Sequence, residues 1–497
     1  MRAEEVSVGR IVRGGFWLYV SGVVNNLSGF LYWMVISVIA GPGVVGVVSA
    51  VVSFASLVAG LLNIGIDVGV QRFYGMAIGR NDKIRLSQYF WSAFFYTLLI
   101  YCLAFLCIFS LSLLGYGFSG LTPLMLMFSS IFILFNISIC INALIISLLR
   151  TDIYFLATIV GNILKFIVGT GLVLFGWGWI GAVLGYMCSS FVGLIIGFVF
   201  SLKHIIRRFM FSLNALRSIL IAGFASWLPK VIGLFGKWLG VLVVFSVAGA
   251  VETGYYYVAF AIASVVLMIA TSMLRLLLPV LSGMSDGRKR AASRVLRVSA
   301  ALMSPLAVFL MFYSYLPLAL LGEEYVKASL ILSVLLLPSL LMIVNSCINS
   351  LIYAYGYYRL VLILGLGANI PRIILYYILV PLYGGLGAAV SFVFGAFTGF
   401  ITALVIARRI SFYIGFRDLI LIYSIPLVST LLAYINNVPW YISGILILIV
   451  CSIGYSLFGI ITRNDLKEVS QAFLSREKTI WLYYKFKPLI DILFKED

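Results

Sequence analysis

Five cations lie inside long apolar runs of this sequence, and the four deepest, where a charge is costly, are Lys165, Lys230, Lys237 and Arg372. A lysine or arginine at the centre of a membrane helix costs roughly 2.5 to 3.5 kcal/mol on insertion scales. Asp67 is the only acid well inside such a run, so internal pairing cannot neutralise the set. The excess predicts a positively charged cavity that binds an anion such as a phosphate, although these cations could also reach carbonyls, headgroups or helix ends.

Two further arginines, Arg275 and Arg72, are candidates for the same cationic cavity. Both lie near helix ends, so each could bind the anion or extend into the lipid headgroups. Asp67 could pair with Arg72 or with a cavity lysine, or could carry a coupling proton. Four asparagines could hydrogen-bond a sugar, although contacts between helices are their commoner role: Asn142, Asn162, Asn349 and Asn369.

The elements that carry these residues are predicted to be membrane-spanning helices. Of the 497 residues, 63% are hydrophobic and only 10% are charged, which excludes a soluble fold. Many apolar runs are long enough to cross a hydrocarbon core of roughly 30 Å, and backbone groups in lipid must be satisfied within a helix. We expect an all-α polytopic membrane protein of about fourteen transmembrane helices. The six cysteines lack metal-ligand spacing, so no metal or cofactor is expected.

The loops between these helices carry most of the positive charge. The predicted spans are 14–40, 45–71, 88–114, 122–148, 154–175, 180–201, 218–247, 255–281, 294–320, 328–352, 360–379, 386–407, 417–436 and 440–461. The formal net charge is +18, and the cations lie mostly on alternate loops, whereas the opposite loops hold Lys327. The positive-inside rule therefore predicts a multi-pass protein of the cell (plasma) membrane with both termini cytoplasmic. Topology accounts for the charge, so no nucleic acid partner is expected.

An internal repeat divides the chain. Cys140-Ile141-Asn142 recurs as Cys347-Ile348-Asn349, 207 positions later, and the same offset places Asn162 on Asn369 and Lys165 on Arg372. Repeats in the same orientation predict two parallel six-helix bundles plus two appended helices. The predicted domains are 1–201 and 218–407 for the bundles, 417–461 for the appended helices and 462–497 for a cytoplasmic amphipathic tail.

Four loop motifs resemble those of a known transporter family. They are Gly41-Pro42-Gly43-Val44-Val45-Gly46, its counterpart Glu252-Thr253-Gly254-Tyr255-Tyr256, the stretch from Gln71 to Asp82, and the stretch from Pro279 to Asp286. Over most of the first 420 residues the chain resembles the polysaccharide-exporter, or lipid-linked oligosaccharide flippase, branch of the multidrug/oligosaccharidyl-lipid/polysaccharide (MOP) exporter superfamily.

The resemblance implies a flippase. It implies that a polyprenyl-(pyro)phosphate-linked oligosaccharide moves from the cytoplasmic to the outer leaflet for polysaccharide or glycan biosynthesis, by alternating access through a cationic cavity. The implied partners are this lipid-linked anionic glycan and membrane lipids, and they could include glycan-assembly enzymes.

Three other functions remain open on the sequence. A cation-coupled multidrug antiporter of the same superfamily would be expected to carry acids in the first or the seventh predicted span, 14–40 or 218–247, where this chain has none. A membrane-embedded glycosyltransferase or polymerase would be expected to need acids on sizeable loops, and the outer loops here are short. A major-facilitator carrier would share the two parallel halves. We expect a transporter rather than an enzyme. The sequence contains no nucleotide-binding loop of the Walker type, so direct use of ATP is not expected.

Overall fold

The computed structural model describes residues 8–206, 208–283 and 286–461. Side chains are described for these residues except 8–16, 275–280 and 282–283, Tyr19, Ala225 and Ser272. The regular elements of these ranges are helices, which confirms the all-α prediction there. Within them, nine helices are long and apolar enough to cross a membrane, or up to ten if one bent pair forms a single span. The predicted amphipathic tail lies outside the described residues.

The helices, in chain order, are α1 (Val8–Leu62), α2 (Ile66–Gly79), α3 (Lys83–Leu113), α4 (Pro123–Leu134), α5 (Ser138–Ser147), α6 (Thr151–Leu172), α7 (Gly178–Ser201), α8 (Leu213–Gly283), α9 (Arg288–Phe312), α10 (Tyr315–Ala319), α11 (Ser329–Leu336), α12 (Ser339–Ala354), α13 (Tyr358–Arg409), α14 (Phe416–Ile435) and α15 (Trp440–Leu457). Short 3-10 turns occupy Phe135–Ile137 and Glu323–Ala328, and a π-helical turn occupies Val173–Trp177.

Glycines with positive φ mark the junctions between predicted spans. Gly41 breaks α1 (φ 74°, ψ 177°). At an offset of 208 positions, Gly249 breaks α8 with nearly the same angles (φ 84°, ψ −177°). Gly178 is the first residue of α7 (φ 52°, ψ −130°). At an offset of 206 positions, Gly384 breaks α13 with nearly the same angles (φ 53°, ψ −132°). Residues with a Cβ rarely adopt these angles, which explains the glycines. The repeat seen in the sequence thus recurs in the backbone.

Several predicted spans are not continuous helices. The span 45–71 is interrupted, because α1 ends at Leu62 and α2 begins at Ile66. Gly65 in this break has φ 75°, and a Cβ there would lie 2.1 Å from the carbonyl oxygen of Gly223 in α8, so two backbones meet too closely for a side chain. The span 122–148 contains the 3-10 turn Phe135–Ile137, and 328–352 bends by 45° between α11 and α12.

By their contacts, the residues form two compact units. Unit 1 comprises the chain up to Val258 with Leu321–Tyr325 and Ile373–Ala388, and unit 2 comprises Ala259–Leu320, Val326–Arg372 and the chain from Ala389 onward. The core of unit 1 includes the fully buried rings of Tyr74 in α2 and Phe90 in α3. In unit 2, the hydroxyl of Tyr455 in α15 donates to the Ile422 carbonyl in α14 at 2.7 Å.

The loop motif Gly41–Gly46 contacts the segment that contains its counterpart, around Gly254, within unit 1. A Cβ added at Gly46 would lie 1.8 Å from the carbonyl oxygen of Ala250, and one at Gly254 would lie 2.0 Å from that of Pro42. Gly46 corresponds to Gly254, and Pro42 to Ala250, at an offset of 208. The contact is therefore equivalent when seen from either copy, as in a local two-fold relationship.

Candidate functional site

Lys165 is buried in α6, with only 3% of its surface exposed. Its Nζ donates a 2.8 Å hydrogen bond to Oδ1 of Asn162, one helical turn earlier. The ammonium also lies 5.3 Å from the ring centre of Tyr32 and 5.1 Å from that of Tyr186. Among the described residues, no carboxylate pairs with it. An amide oxygen and two aromatic faces therefore stabilise this charge.

Packing fixes the position of Tyr32 beneath that ammonium. Its hydroxyl donates to the carbonyl oxygen of Ala182 in α7 at 2.8 Å. Gly169 of α6 and Gly185 of α7 leave room for the hydroxyl, since a Cβ at either position would lie 2.8 Å or less from it. The Tyr32 ring also meets Tyr186 edge-on, with centroids 5.3 Å apart. The aromatic part of the Lys165 site is consequently held in one arrangement.

Arg372 of α13 makes a similar set of contacts in unit 2. It is 9% exposed, and its Nη1 donates to Oδ1 of Asn369 at 3.4 Å. The guanidinium lies 4.3 Å from the ring centre of Phe392. Asn369 in turn donates to the Gly365 carbonyl at 2.9 Å, which orients its amide oxygen toward the arginine. The residues aligned by the sequence repeat thus make the same cation-to-asparagine contact in each unit.

Lys230 of α8 forms an ion pair with Asp67 of α2 in unit 1. The lysine side chain is 45% exposed and the aspartate 23%, so the pair is partly accessible rather than sealed. Asp67 lies in the first turn of α2, where the positive end of the helix dipole also stabilises a carboxylate. Of the two cationic partners considered for Asp67, the structure brings Lys230 to it, while Arg72 is exposed on α2.

The remaining candidate cations lie on α8. Lys237 is exposed, and its Nζ lies 4.4 Å from the ring centre of Trp238. It follows Lys230 by seven residues, so both lie on one side of the helix. The backbone at Arg275 is helical, but its side chain lies outside the described part of the chain.

A polar cavity of about 220 Å³ lies beside the Lys165 site in unit 1. Its polar lining comes from α1, the 3-10 turn, α5, α6 and α7, through Asn25, Asn136, Asn142, Thr158, Asn162 and Ser189. Asn162 both lines this cavity and accepts the hydrogen bond of Lys165. The interruption of the predicted span 122–148 places Asn136 in the wall. Such a cavity can hold water or the hydroxyls of a sugar.

Two predicted asparagines belong to this cavity, and two lie elsewhere. Asn142 and Asn162 line it, whereas Asn349 is half-buried in α12 and Asn369 contacts Arg372, both in unit 2. The sequence analysis missed the aromatic partners of the buried cations. In the sequence, nothing distinguishes these partners from other apolar positions of their helices. They are Tyr32, Tyr186 and Phe392, and only their contacts with the cations identify them.

Several solved structures of helical membrane proteins share this fold. The chain is similar to "Lipid II flippase MurJ, inward closed conformation", with a TM-score of 0.74 and 17% identity over 89% of this chain and 98% of that one. It is similar to an inward-facing multidrug resistance MATE family transporter of the MOP superfamily, with a TM-score of 0.64 and 16% identity over 78% and 94%. It is also similar to a MOP superfamily transporter from Pyrococcus furiosus, with a TM-score of 0.56 and 17% identity over 81% of this chain and 95% of that one.

The family is shown by sequence. A family profile described as "Polysaccharide biosynthesis protein" matches residues 43–330, which is more than half of the chain. The protein belongs to this polysaccharide biosynthesis family, which agrees with the predicted resemblance to polysaccharide exporters. The solved structures of MOP superfamily transporters share its fold. A search of curated proteins finds no match. The similar solved structures are transporters and a flippase, not enzymes.

Proposed function

We propose that this protein translocates a polyprenyl-(pyro)phosphate-linked oligosaccharide from the cytoplasmic to the outer leaflet, by alternating access through a cationic cavity. The observation that carries the proposal is Lys165, a cation buried in an apolar helix without a carboxylate partner among the described residues. A buried charge in lipid is costly, and an anionic cargo offsets that cost when it binds. Membership of a polysaccharide biosynthesis family supports a glycan as that cargo.

Four cations carry the proposed recognition of the phosphate groups: Lys165, Arg372, Lys230 and Lys237. Arg372 shares the asparagine and aromatic contacts of Lys165. Lys230 is held by Asp67, so we infer that the incoming phosphate competes with this carboxylate for the lysine. Arg275 and Arg72 are proposed as outer members of the set. Asn142 and Asn162 are proposed sugar contacts, and the polar cavity that they line supports this.

The proposed architecture has fourteen spans in two parallel bundles, two appended helices and cytoplasmic termini in the cell membrane. Four of the apolar helical segments are 43 to 52 residues long, and each contains a glycine with non-helical angles. A continuous helix of that length would extend roughly 65 to 78 Å, twice the thickness of a hydrocarbon core. This supports two spans in each, together with the repeated glycine geometry.

The membrane potential supplies a driving force for the proposed step. Moving one negative charge outward across an inside-negative potential contributes about 2.3 kcal/mol per 100 mV. Release from several cations opposes the step, so the cavity must open to water on the outer side before the cargo leaves. The exchange of Asp67 for phosphate at Lys230, and back again, provides a way to restore the unloaded state.

The test is a protection assay in liposomes. A fluorescent polyprenyl-pyrophosphate-linked sugar is placed in the inner leaflet, and its exposure to an outside reagent is followed with an imposed inside-negative potential. We expect exposure that depends on the protein and the potential, and that Lys165→Gln combined with Arg372→Gln abolishes it. The variant Lys203→Gln, which removes an exposed loop cation, is the control. Full exposure with the double variant contradicts the proposal, and uptake of a cationic drug instead identifies an antiporter.

A further inference from the structure

A basic cavity of about 890 Å³ lies at one end of unit 2, where α13 begins. It is lined by Lys289, Tyr355, Tyr357, Arg359, Arg409 and Ser411, and we refer to it as the α13 pocket. Its volume falls in the range of roughly 300 to 1,000 Å³ that is usual for small-molecule sites. The loops that form it lie on the side predicted to be cytoplasmic. None of its residues belongs to the cation set proposed for the translocated cargo.

Three cations of the α13 pocket have no acidic partner. Arg359 and Arg409 are exposed and Lys289 is half-buried, and within the described ranges no carboxylate pairs with any of them. Asp286 lines an adjoining recess of about 310 Å³ and not the α13 pocket, and its Oδ1 accepts the N–H of Gly287 at 2.7 Å. The pocket therefore has an excess of positive charge.

Aromatic packing gives the α13 pocket an ordered wall. The guanidinium of Arg288 lies 5.4 Å from the ring centre of Tyr355 and donates to the Ala354 carbonyl at 3.4 Å. On its other side, Tyr355 stacks on Tyr357 with centroids 5.6 Å apart and an angle of 24°. Contacts of this kind hold the rim without using the three unpaired cations.

The start of α13 adds a further attraction for an anion. The helix begins at Tyr358, and its N-cap residue Tyr357 supplies no side-chain hydrogen bond to the first turn. Two of its first backbone N–H groups are already used, since that of Tyr358 donates to the Gly356 carbonyl at 3.0 Å and that of Leu360 to the Tyr357 carbonyl at 2.9 Å. The positive pole of the helix dipole remains at this end of α13, beside the guanidinium of Arg359.

The corresponding loop of the first half lacks this excess. With the offset of 207, Arg359 corresponds to Asp152 and Tyr357 to Arg150. Arg150 and Asp152 neutralise each other through two hydrogen bonds of 3.0 Å. The fold can thus form this loop with its charges paired, so the unpaired cations of the α13 pocket are not a requirement of the architecture.

We propose that the α13 pocket binds the phosphate group of a lipid headgroup from the adjoining membrane leaflet. Tyrosine is enriched at the membrane–water interface, where such headgroups lie. The lining of the pocket includes three tyrosines, Tyr355, Tyr357 and Tyr358. From the pocket, α13 continues with exposed apolar side chains, Ile363 at 45% and Ile370 at 48% exposure, along which acyl chains can pack. Lipid binding here goes beyond the proposed translocation, because it needs neither transport nor the buried cations.

The test measures lipid binding to the full-length protein in detergent by native mass spectrometry. The probes are dioleoyl phosphatidic acid, dioleoylglycerol as the same lipid without phosphate, and inorganic phosphate as a soluble competitor. We expect retention of phosphatidic acid but not of dioleoylglycerol. Replacing two cations near the headgroup, as Arg359→Gln with Arg409→Gln, is expected to weaken that binding roughly tenfold or more.

Two matched variants separate a specific site from general surface charge. Lys203→Gln with Arg208→Gln removes the same charge from exposed loop positions of unit 1 and is expected to change binding less than twofold. Arg359→Lys with Arg409→Lys keeps the charge and is expected to restore most of it. Thermal unfolding checks that each variant is folded. Equal loss in the unit 1 variant, no loss in the Gln variant, or displacement by inorganic phosphate at the lipid's own concentration overturns the proposal.

Discussion

The ammonium of Lys165 lies 2.8 Å from the amide oxygen of Asn162, and this contact is the polar anchor of a cation buried in an apolar helix. Arg372 makes the corresponding contact with Asn369. An amide oxygen is neutral, so it orients each cation without cancelling its charge. Lys165 pairs with no carboxylate among the described residues, so it keeps a positive charge that an incoming anion can neutralise.

The first prediction concerns the charge of Lys165. We expect Lys165→Gln to lower the flipping rate roughly 10- to 100-fold, because a hydrogen bond to a charged group contributes about 1.5 to 3 kcal/mol. Lys165→Arg keeps the charge and is expected to retain transport, as Arg372 occupies an equivalent position. The measurement is initial flipping rate in liposomes at equal protein density.

Stability provides the control for that prediction. Removing a buried charge without a carboxylate partner relieves its desolvation, so Lys165→Gln is expected to unfold at the same temperature as the wild type or higher. Loss of transport together with a lower unfolding temperature would instead assign Lys165 a structural role.

A second prediction uses Asn162 to neutralise the same cation in place. Asn162→Asp puts a carboxylate at hydrogen-bond distance from Lys165, and we expect it to abolish transport of an anionic cargo while preserving or raising the unfolding temperature. Asn136→Asp adds the same charge to the wall of the polar cavity at a residue that is not a proposed sugar contact, and no hydrogen bond joins Asn136 to Lys165 in the described structure. If the two variants lose transport equally, the effect comes from charge in the cavity and not from pairing with Lys165.

The pairing of Asn162 with Lys165 could be anticipated from the sequence. Residues three apart face the same side of a helix, and the same pair recurs at Asn369 and Arg372. The aromatic partners could not be anticipated in this way. Tyr32 comes from α1 and reaches Lys165 only because Gly169 and Gly185 leave space for its ring, a relationship between three helices that periodicity does not encode.

The helix boundaries show a similar division. Hydropathy located the apolar runs because their length is set by the bilayer. It did not predict the break at Gly65, because that break depends on the close approach of Gly223 from a distant helix. Likewise, the sequence left open whether Asp67 pairs with a cation or carries a coupling proton. Its pairing with Lys230 and not with Arg72 depends on the packing of α2 beside α8.

A third prediction concerns that ion pair. Because Lys230 is 45% exposed, we expect Asp67→Asn and Lys230→Gln each to destabilise the protein by no more than about 1 kcal/mol. Their double variant is expected to be less destabilised than the sum, since each single change already removes the pair. The measurement is a double-mutant cycle of thermal unfolding in detergent. Strictly additive effects would show that the two charges do not interact in solution.

The same variants test whether Asp67 has a coupling role. If it only holds Lys230, transport by Asp67→Asn keeps its dependence on the membrane potential and gains no dependence on a pH gradient. If Asp67 carries a coupling proton, the wild-type rate rises with an imposed pH gradient and Asp67→Asn removes that rise. Lys203→Gln serves as the control for changes in insertion or yield.

The last prediction concerns the reciprocal contact of Gly46 with Ala250 and of Gly254 with Pro42. A Cβ at Gly46 or Gly254 would lie within 2.0 Å of a carbonyl oxygen, so the backbones must separate to accommodate it. We expect Gly46→Ala and Gly254→Ala each to cost about 1 to 3 kcal/mol of stability, as overpacking does.

Gly233→Ala is the matched control in α8, since its Cβ would meet nothing within 4 Å, and it is expected to be neutral or to stabilise by about 0.5 to 1 kcal/mol. Because the two sites share one contact, their combined effect should be less than additive, as measured by thermal unfolding. Additive losses, or a loss in Gly233→Ala of equal size, would show that glycine content rather than this contact sets the stability.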